Sequence, residues 1–216
     1  MAKTPYSYQA LSDFLAQDGK KYVKPEKAGE KAQAMQALRQ LGQEARDAFT
    51  ALAEAVAKDW DQVQIQRVSL WANQAQRLRP HFWVYFLGEA DSLNRPLMAL
   101  RLYGEAQKFG LSCELSFIER HKDDETLNYQ AKVLDLPVRE PLYFQVQEVA
   151  GGPSYRLAAD ELNQRHLQTA LAEGRVRKVL LKTDIALTAE QTLPDLVTQI
   201  HKGFEALFPY FEATKQ

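Results

Sequence analysis

The fold is decided between residues 77 and 86, which read Arg-Leu-Arg-Pro-His-Phe-Trp-Val-Tyr-Phe. In a β-strand, successive side chains point to opposite faces of the sheet, so alternate residues share a face. The odd-numbered residues from His81 to Tyr85 therefore fall on one side, and the even-numbered residues from Phe82 to Phe86 fall on the other. The pattern predicts a strand with one apolar face and one face of polar and aromatic side chains.

Three further segments alternate in the same way and indicate a sheet with one shared apolar side. They span residues 97–103, 111–119 and 142–149, and a fifth strand is predicted from Val176 to Ile185. The apolar parity collects Phe82, Val84, Phe86, Met98, Leu100, Leu102, Cys113, Leu115, Phe117, Phe144 and Val146. The opposite parity collects His81, Trp83, Tyr85, Ala99, Arg101, Tyr103, Ser112, Glu114, Ser116, Tyr143, Gln145 and Gln147. Burial of a large apolar side chain contributes about 1.5–3 kcal/mol, so the apolar parity is sufficient to hold helices on that side.

Helical periodicity predicts elements before, between and after these strands. The longest helix runs from Lys24 to about Asp61, and a closing helix is capped at Thr192 with Asp195 three residues later. Shorter helices are predicted near residues 8–16, 123–134 and 159–173, whereas residues 63–78 fit a strand or a helix equally. Strands joined by short loops pair antiparallel. We therefore predict an α+β fold, with a mainly antiparallel sheet of about five strands packed by the C-terminal helix and the long N-terminal helix.

Length, charge and cysteine content limit the domain organisation and the function class. With 216 residues and a net charge of −1, the chain can bury its own core and lacks the uniformly basic surface of a protein that grips a long duplex. We predict a helical segment over residues 1–62 and a sheet domain over 63–216, together forming one compact unit. Cys113 is the only cysteine and no cluster has zinc-ligand spacing, so no disulfide, metal or cofactor is predicted. Neither a signal peptide nor a membrane-length apolar run is found, so we expect a cytoplasmic protein without membrane contact.

The polar-aromatic parity is the best candidate for a functional surface. A solvated sheet face usually carries Lys, Glu and Thr, whereas this one carries a tryptophan, several tyrosines, a histidine and an Arg–Glu pair. Stacking of a base on an aromatic ring contributes about 1–3 kcal/mol, so the expected partner is a planar or anionic small molecule or a nucleic acid. The opposite interpretation, that a helix such as the long N-terminal one covers this side as a second core, stays open. The candidate ligand-binding residues are His81, Trp83, Tyr85, Arg101, Tyr103 and Glu114.

Two other functions fit the sequence. In the first, a small hydrolase or transferase uses His81 as acid or base with Glu114 and Arg101. No nucleophile elbow, phosphate-binding loop or metal motif accompanies these residues, so no catalytic residue is assigned. In the second, the helix from Lys24 to Asp61 presents its apolar stripe to a partner or to a second copy, which gives a structural or interaction role and a homo-oligomer.

Three segments of the sheet region resemble a small family of uncharacterised single-domain bacterial proteins. They are residues 79–83 (Arg-Pro-His-Phe-Trp), 100–105 (Leu-Arg-Leu-Tyr-Gly-Glu) and 114–120 (Glu-Leu-Ser-Phe-Ile-Glu-Arg), and the resemblance runs from about residue 65 to the end. It implies a class of protein and no activity. More distantly, aromatic strands before a closing helix that ends in Pro209-Tyr210-Phe211 are similar to the N-terminal DNA-recognition domain of McrB-type restriction systems. That similarity transfers no site residue, and because the chain has no AAA-type ATPase module, a restriction role would need a separate partner.

Overall fold

A computed structural model describes residues 6–216, and its centre is one antiparallel sheet. The strands are β1 (Val63–Ile65), β2 (Trp83–Gly88), β3 (Leu97–Glu105), β4 (Lys108–Ser116), β5 (Tyr143–Glu148), β6 (Tyr155–Ala158) and β7 (Val176–Ala186). Their order across the sheet is β1-β2-β3-β4-β7-β5-β6, and every neighbouring pair is antiparallel. The predicted α+β class is confirmed, but the sheet is wider than predicted because two short strands, β1 and β6, extend its edges.

Five α-helices accompany the sheet in the described part of the chain. They are α1 (Tyr8–Leu15), α2 (Ala32–Lys58), α3 (Thr126–Ala131), α4 (Glu161–Ala172) and α5 (Leu193–Ala213). The long N-terminal helix begins at Ala32 and not at Lys24 as predicted, because residues 25–31 form two 3-10 turns and Gly29 adopts a left-handed φ of 54°. Gly42 does not interrupt α2. A Cβ there would lie 2.7 Å from the Trp71 ring, so glycine allows this indole to pack on the helix.

The closing helix α5 begins as its sequence predicts. The Asp195 amide donates to the Thr192 hydroxyl and the Thr192 amide donates to the Asp195 carboxylate, both at 3.3 Å, which forms a capping box. The apolar stripe through Ile200 and Phe204 is fully buried against the sheet. Close approach to β4 depends on Gly203, where a Cβ would lie 2.8 Å from the Cys113 sulfur.

The helices cover one side of the sheet. The buried apolar side chains of α1, α2, α4 and α5 belong to one cluster with the apolar parity of the strands. Phe117 is the exception: β4 ends at Ser116, and the Phe117 ring lies outside this cluster, with its centroid 5.3 Å from the Lys178 amino group. In this cluster Phe82 lies between Phe14 of α1 and Phe49 of α2, with ring centroids 4.8 and 5.8 Å away. The long N-terminal helix therefore packs on the apolar side and does not cover the polar-aromatic side. Helix α3 lies at the end of the β4–β7 pair, where Gln130 donates to the carbonyl oxygens of Leu115 and Val179 at 3.2 and 3.1 Å.

Residues 63–78, for which the sequence left two interpretations, form β1, an irregular segment and a turn at residues 73–76 that brings Ala72 beside Leu78. Arg46 of α2 holds this segment by donating from its guanidinium to the carbonyl oxygens of Val68 and Ser69, at distances of 2.9–3.3 Å. Across the described residues, no helix combines the length and apolarity needed to span a membrane.

The close packing at Gly203 predicts that the effect of Gly203→Ala on stability depends on the side chain at position 113. Gly203→Ala improves helix propensity by about 1 kcal/mol but crowds the Cys113 sulfur, and overpacking of a core costs about 1–3 kcal/mol. We expect the single variant to be less stable than the wild type in urea denaturation. In a Cys113→Ala background the same substitution should be neutral or stabilising. Equal effects in both backgrounds would show that this contact does not limit the packing of α5.

Candidate functional site

The polar face is the side of the sheet opposite the helices. Its central side chains are Trp83, Tyr85, Arg101, Tyr103, Ser112, Glu114, Tyr143, Arg156, Lys182 and Asp184. Strand register arranges many of them in rows that run across the sheet. Trp83 pairs with Arg101 and Arg101 with Ser112, while Glu114 pairs with Lys182 and Lys182 with Tyr143. Side chains from six different strands therefore lie on this face.

Glu114 lies at the centre of the polar face and is fully buried. Its Oε1 accepts hydrogen bonds from Arg101 Nε at 2.8 Å, from Lys182 Nζ at 2.7 Å and from the Ser112 hydroxyl at 3.2 Å. Burial opposes ionisation of this carboxyl, but the positive charges of Arg101 and Lys182 outweigh burial and hold the pKa of Glu114 below its ordinary value. The three residues therefore form a charged triad in which one carboxylate faces two cations.

The triad is incompletely satisfied. All three donors converge on Oε1, and the buried Oε2 has no hydrogen-bond partner among the described residues. Burial, together with the neighbouring charge of Arg101, lowers the pKa of Lys182, although Glu114 opposes this shift. The centre of the face thus combines a surplus positive charge with a carboxylate oxygen that can still accept a hydrogen bond.

A second polar cluster lies beside the triad, towards the β6 edge. Asp184 accepts from the Tyr143 hydroxyl and from an Arg156 amino group, both at 2.9 Å. The Arg156 guanidinium also lies over the Tyr143 ring, 3.6 Å from its centroid. Burial and the charge of Asp184 both raise the pKa of Tyr143, so its hydroxyl stays protonated and remains a donor.

Trp83 lies among cations near the β2 edge of the face. The guanidinium carbons of Arg79 and Arg101 are 5.0 and 5.4 Å from its ring centroid, and the His81 ring is 5.3 Å away. Burial and the charges of Arg101 and Arg79 lower the pKa of His81 to about 4, so this imidazole is neutral near pH 7. Trp83 itself is half-buried. The indole is therefore held in an electropositive setting with part of its surface in solvent.

The two candidate tyrosines lie in different surroundings. Tyr85 is buried in a small apolar cluster with Leu97 and Ala99, and its hydroxyl donates to the Phe117 carbonyl oxygen at 2.8 Å. This side chain holds the segment after β4 in place. Tyr103 is half-buried and lies over Gly110, where a Cβ would be 2.9 Å from its hydroxyl oxygen.

The structure brings some of the predicted site residues together and leaves others apart. Arg101 contacts both Glu114 and Trp83, and His81 contacts Trp83. His81 makes no hydrogen bond to Glu114, whose Oε1 is already occupied by three other donors. Within residues 6–216, no group of three or more His, Cys, Asp or Glu side chains could hold a metal ion. The geometry is that of a charged, partly aromatic surface.

The six candidate ligand-binding residues predicted from the sequence do not include Lys182, Asp184 or Arg156. The first two follow from the alternation of β7, because Val179, Leu181 and Thr183 are the buried parity of that strand. The side chains that Lys182 and Asp184 contact cannot be predicted from this alternation, because β7 is inserted between β4 and β5 in the sheet. Arg156 belongs to β6, a strand of four residues that carries no clear alternating pattern.

Comparison with known proteins adds no assignment to this geometry: no family model matches the chain, and no curated protein sequence matches it.

The triad predicts a strongly destabilising substitution. Glu114→Gln leaves the buried Lys182 and the half-buried Arg101 without their counter-charge, and removal of one partner from a buried ion pair costs about 3–5 kcal/mol. We expect a loss of that size in the free energy of unfolding at pH 7, measured by urea denaturation. Glu44→Gln, at an exposed position on α2, is the matched control and should have little effect.

The Glu114→Gln variant also tests how the stability of the protein depends on pH. The pKa of Glu114 is lower in the folded chain, so as the pH falls below about 4.3 the unfolded chain binds the proton first and stability is lost. Wild-type stability should therefore fall as the pH drops from about 4.3 towards the folded pKa, and the Glu114→Gln protein should lack this part of the decrease. Parallel pH profiles for the two proteins would contradict the assigned charge state.

Proposed function

We propose that this protein is a binding module whose polar face takes a planar, phosphate-bearing ligand of the nucleotide class, either free or as part of a nucleic acid. One observation carries the proposal: the half-buried indole of Trp83 has the guanidinium carbons of Arg79 and Arg101 at 5.0 and 5.4 Å from its ring centroid, on a sheet face that α1, α2, α4 and α5 leave uncovered. Aromatic rings stack on bases of any sequence, and arginine contacts both ring faces and phosphates.

The charge distribution supports an anionic ligand. Glu114 neutralises one of its two cationic partners, so the triad has a net positive charge. Arg79 makes no ion pair with any described residue, and the ring of Trp83 is its contact on this face. Phosphate oxygens are the natural partners for surplus guanidinium groups, because the planar fork of arginine matches their geometry.

The two other functions that fit the sequence have less support. A hydrolase or transferase would use His81 with Glu114, but the triad already engages this carboxylate and His81 packs on Trp83. An interaction role for the long helix would use the apolar stripe of α2. That stripe packs into the chain's own core through residues such as Phe49 and Leu52.

Tryptophan fluorescence tests the proposal directly. Titration of the protein with a nucleotide or a short oligonucleotide at low salt should quench the emission of Trp83, because a stacked base lies against the indole. Trp83→Phe should abolish this ligand-induced change while leaving the other tryptophans emissive. Trp60→Phe is the control, since Trp60 packs against Phe86 and Phe204 on the helical side, and it should retain the change. If no nucleotide or oligonucleotide alters the emission, the proposal is wrong.

The charge of Arg79 gives a second test. Arg79→Gln removes a cation that has no ion-pair partner among residues 6–216, so the fold should be preserved and the thermal unfolding midpoint unchanged. Binding of an oligonucleotide should weaken, and the slope of log affinity against log salt should become shallower by about 0.7, the value for one phosphate contact on a single strand. An unchanged salt slope would show that Arg79 does not contact a phosphate.

A further inference from the structure

We infer that the ligand of the polar face is a single strand of nucleic acid, several nucleotides long, which crosses the sheet from Trp83 on β2 towards Arg156 on β6. The inference rests on the proposed function and names the class of ligand. It comes from the spacing of the groups that can hold phosphates and bases, and from the shape of the face.

The groups are spread over most of the width of the sheet. Strands β2 and β6 are five positions apart in the strand order, and neighbouring strands lie about 4.8 Å apart, so Trp83 and Arg156 stand on strands about 24 Å apart. A single nucleotide cannot contact both ends of this distance. Sites for single-stranded nucleic acid typically hold about four or more nucleotides, which fits such a span.

Cations mark the path between the two ends. Arg101 on β3, Lys182 on β7 and Arg156 on β6 have side chains that are 26%, 11% and 59% exposed. Each cation is also held in position, the first two by Glu114 and the third by Asp184. A row of fixed cations on every second strand from β3 to β6 suits a backbone that carries one phosphate per nucleotide.

The shape of the face favours unpaired bases over a duplex. Direct reading of a duplex requires a helix or a two-stranded ribbon in the major groove. Here α1, α2, α4 and α5 pack on the opposite side of the sheet. Stacking on Trp83 requires a base whose ring face is free, as in a single strand.

Glu114 is the buried partner that holds two of the cations on this path. Its Oε2 is buried and has no donor among the described residues, whereas Oε1 has three. The path across the face passes over this residue, because β4 lies between β3 and β7 in the strand order.

Length dependence tests the inference. Fluorescence anisotropy of labelled thymidine oligonucleotides of two, four, six, eight and twelve residues, with the mononucleotide as competitor, should show affinity that rises at least about ten-fold from two to eight residues and then levels off. A uridine oligonucleotide of eight residues should bind similarly, since the site reads stacking and phosphates. A twelve-base-pair duplex should bind at least about ten-fold more weakly than the single strand.

Variants at the far end of the path distinguish it from a local nucleotide site. Arg156→Gln should weaken the eight-residue oligonucleotide several-fold and leave the dinucleotide unchanged, whereas Arg79→Gln should weaken both. Arg165→Gln, at an exposed position on α4 on the helical side, is the matched control and should change neither.

The outcomes separate the two proposals. If the mononucleotide binds as tightly as the eight-residue strand, or if Arg156→Gln has no effect, the path across the sheet is wrong while nucleotide binding stands. If the duplex binds as tightly as the single strand, the inferred ligand class is wrong. If none of these ligands binds, the proposed function itself is wrong.

Discussion

The two-residue repeat of the β-strand is the constraint on which the rest of this structure depends. It gives every central strand an apolar side and a polar side, and the helices bury only the apolar side. The polar side must then satisfy its own charges and hydroxyl groups. It does so across strands, because neighbouring side chains on one face of an antiparallel sheet are close enough to pair. Glu114 with Lys182, which are directly paired across β4 and β7, is the clearest example.

The triad fixes the positions of its two cationic side chains and is not a source of stability in itself. Transfer of charges from water into a protein is costly, and replacement of a buried ion pair by apolar residues is often neutral or stabilising. A fully buried Glu114 with two cations is therefore a poor way to gain stability alone. What it supplies is a fixed position for Arg101 and Lys182, whose long side chains would otherwise sample many rotamers. A ligand that meets cations already in place loses less entropy on binding.

The faces of the central strands were predictable from the sequence, whereas the partners on those faces were not. Alternation around Trp83 is a local property, and it correctly assigns the apolar and polar sides of β2, β3, β4 and β5. The contact between Glu114 and Lys182 joins residues 68 positions apart and depends on the insertion of β7 between β4 and β5. No local pattern encodes that insertion. Strand β6 escaped prediction because it has four residues, of which only Leu157 is half-buried, and Arg156 was missed with it.

The polar face is not uniform along its strands, and this asymmetry limits where a ligand can lie. At one end, Tyr85 is buried and its hydroxyl is bound to the Phe117 carbonyl, so the segment after β4 closes this part of the face. At the other end, Trp83 is flanked by guanidinium groups and its ring is partly in solvent. Tyr85 and Trp83 are only two residues apart on one strand, yet the first is closed off by the chain and the second is not. A ligand that stacks on an aromatic ring therefore has access on the Trp83 side of the triad, and the covered end limits how far it can extend along β2.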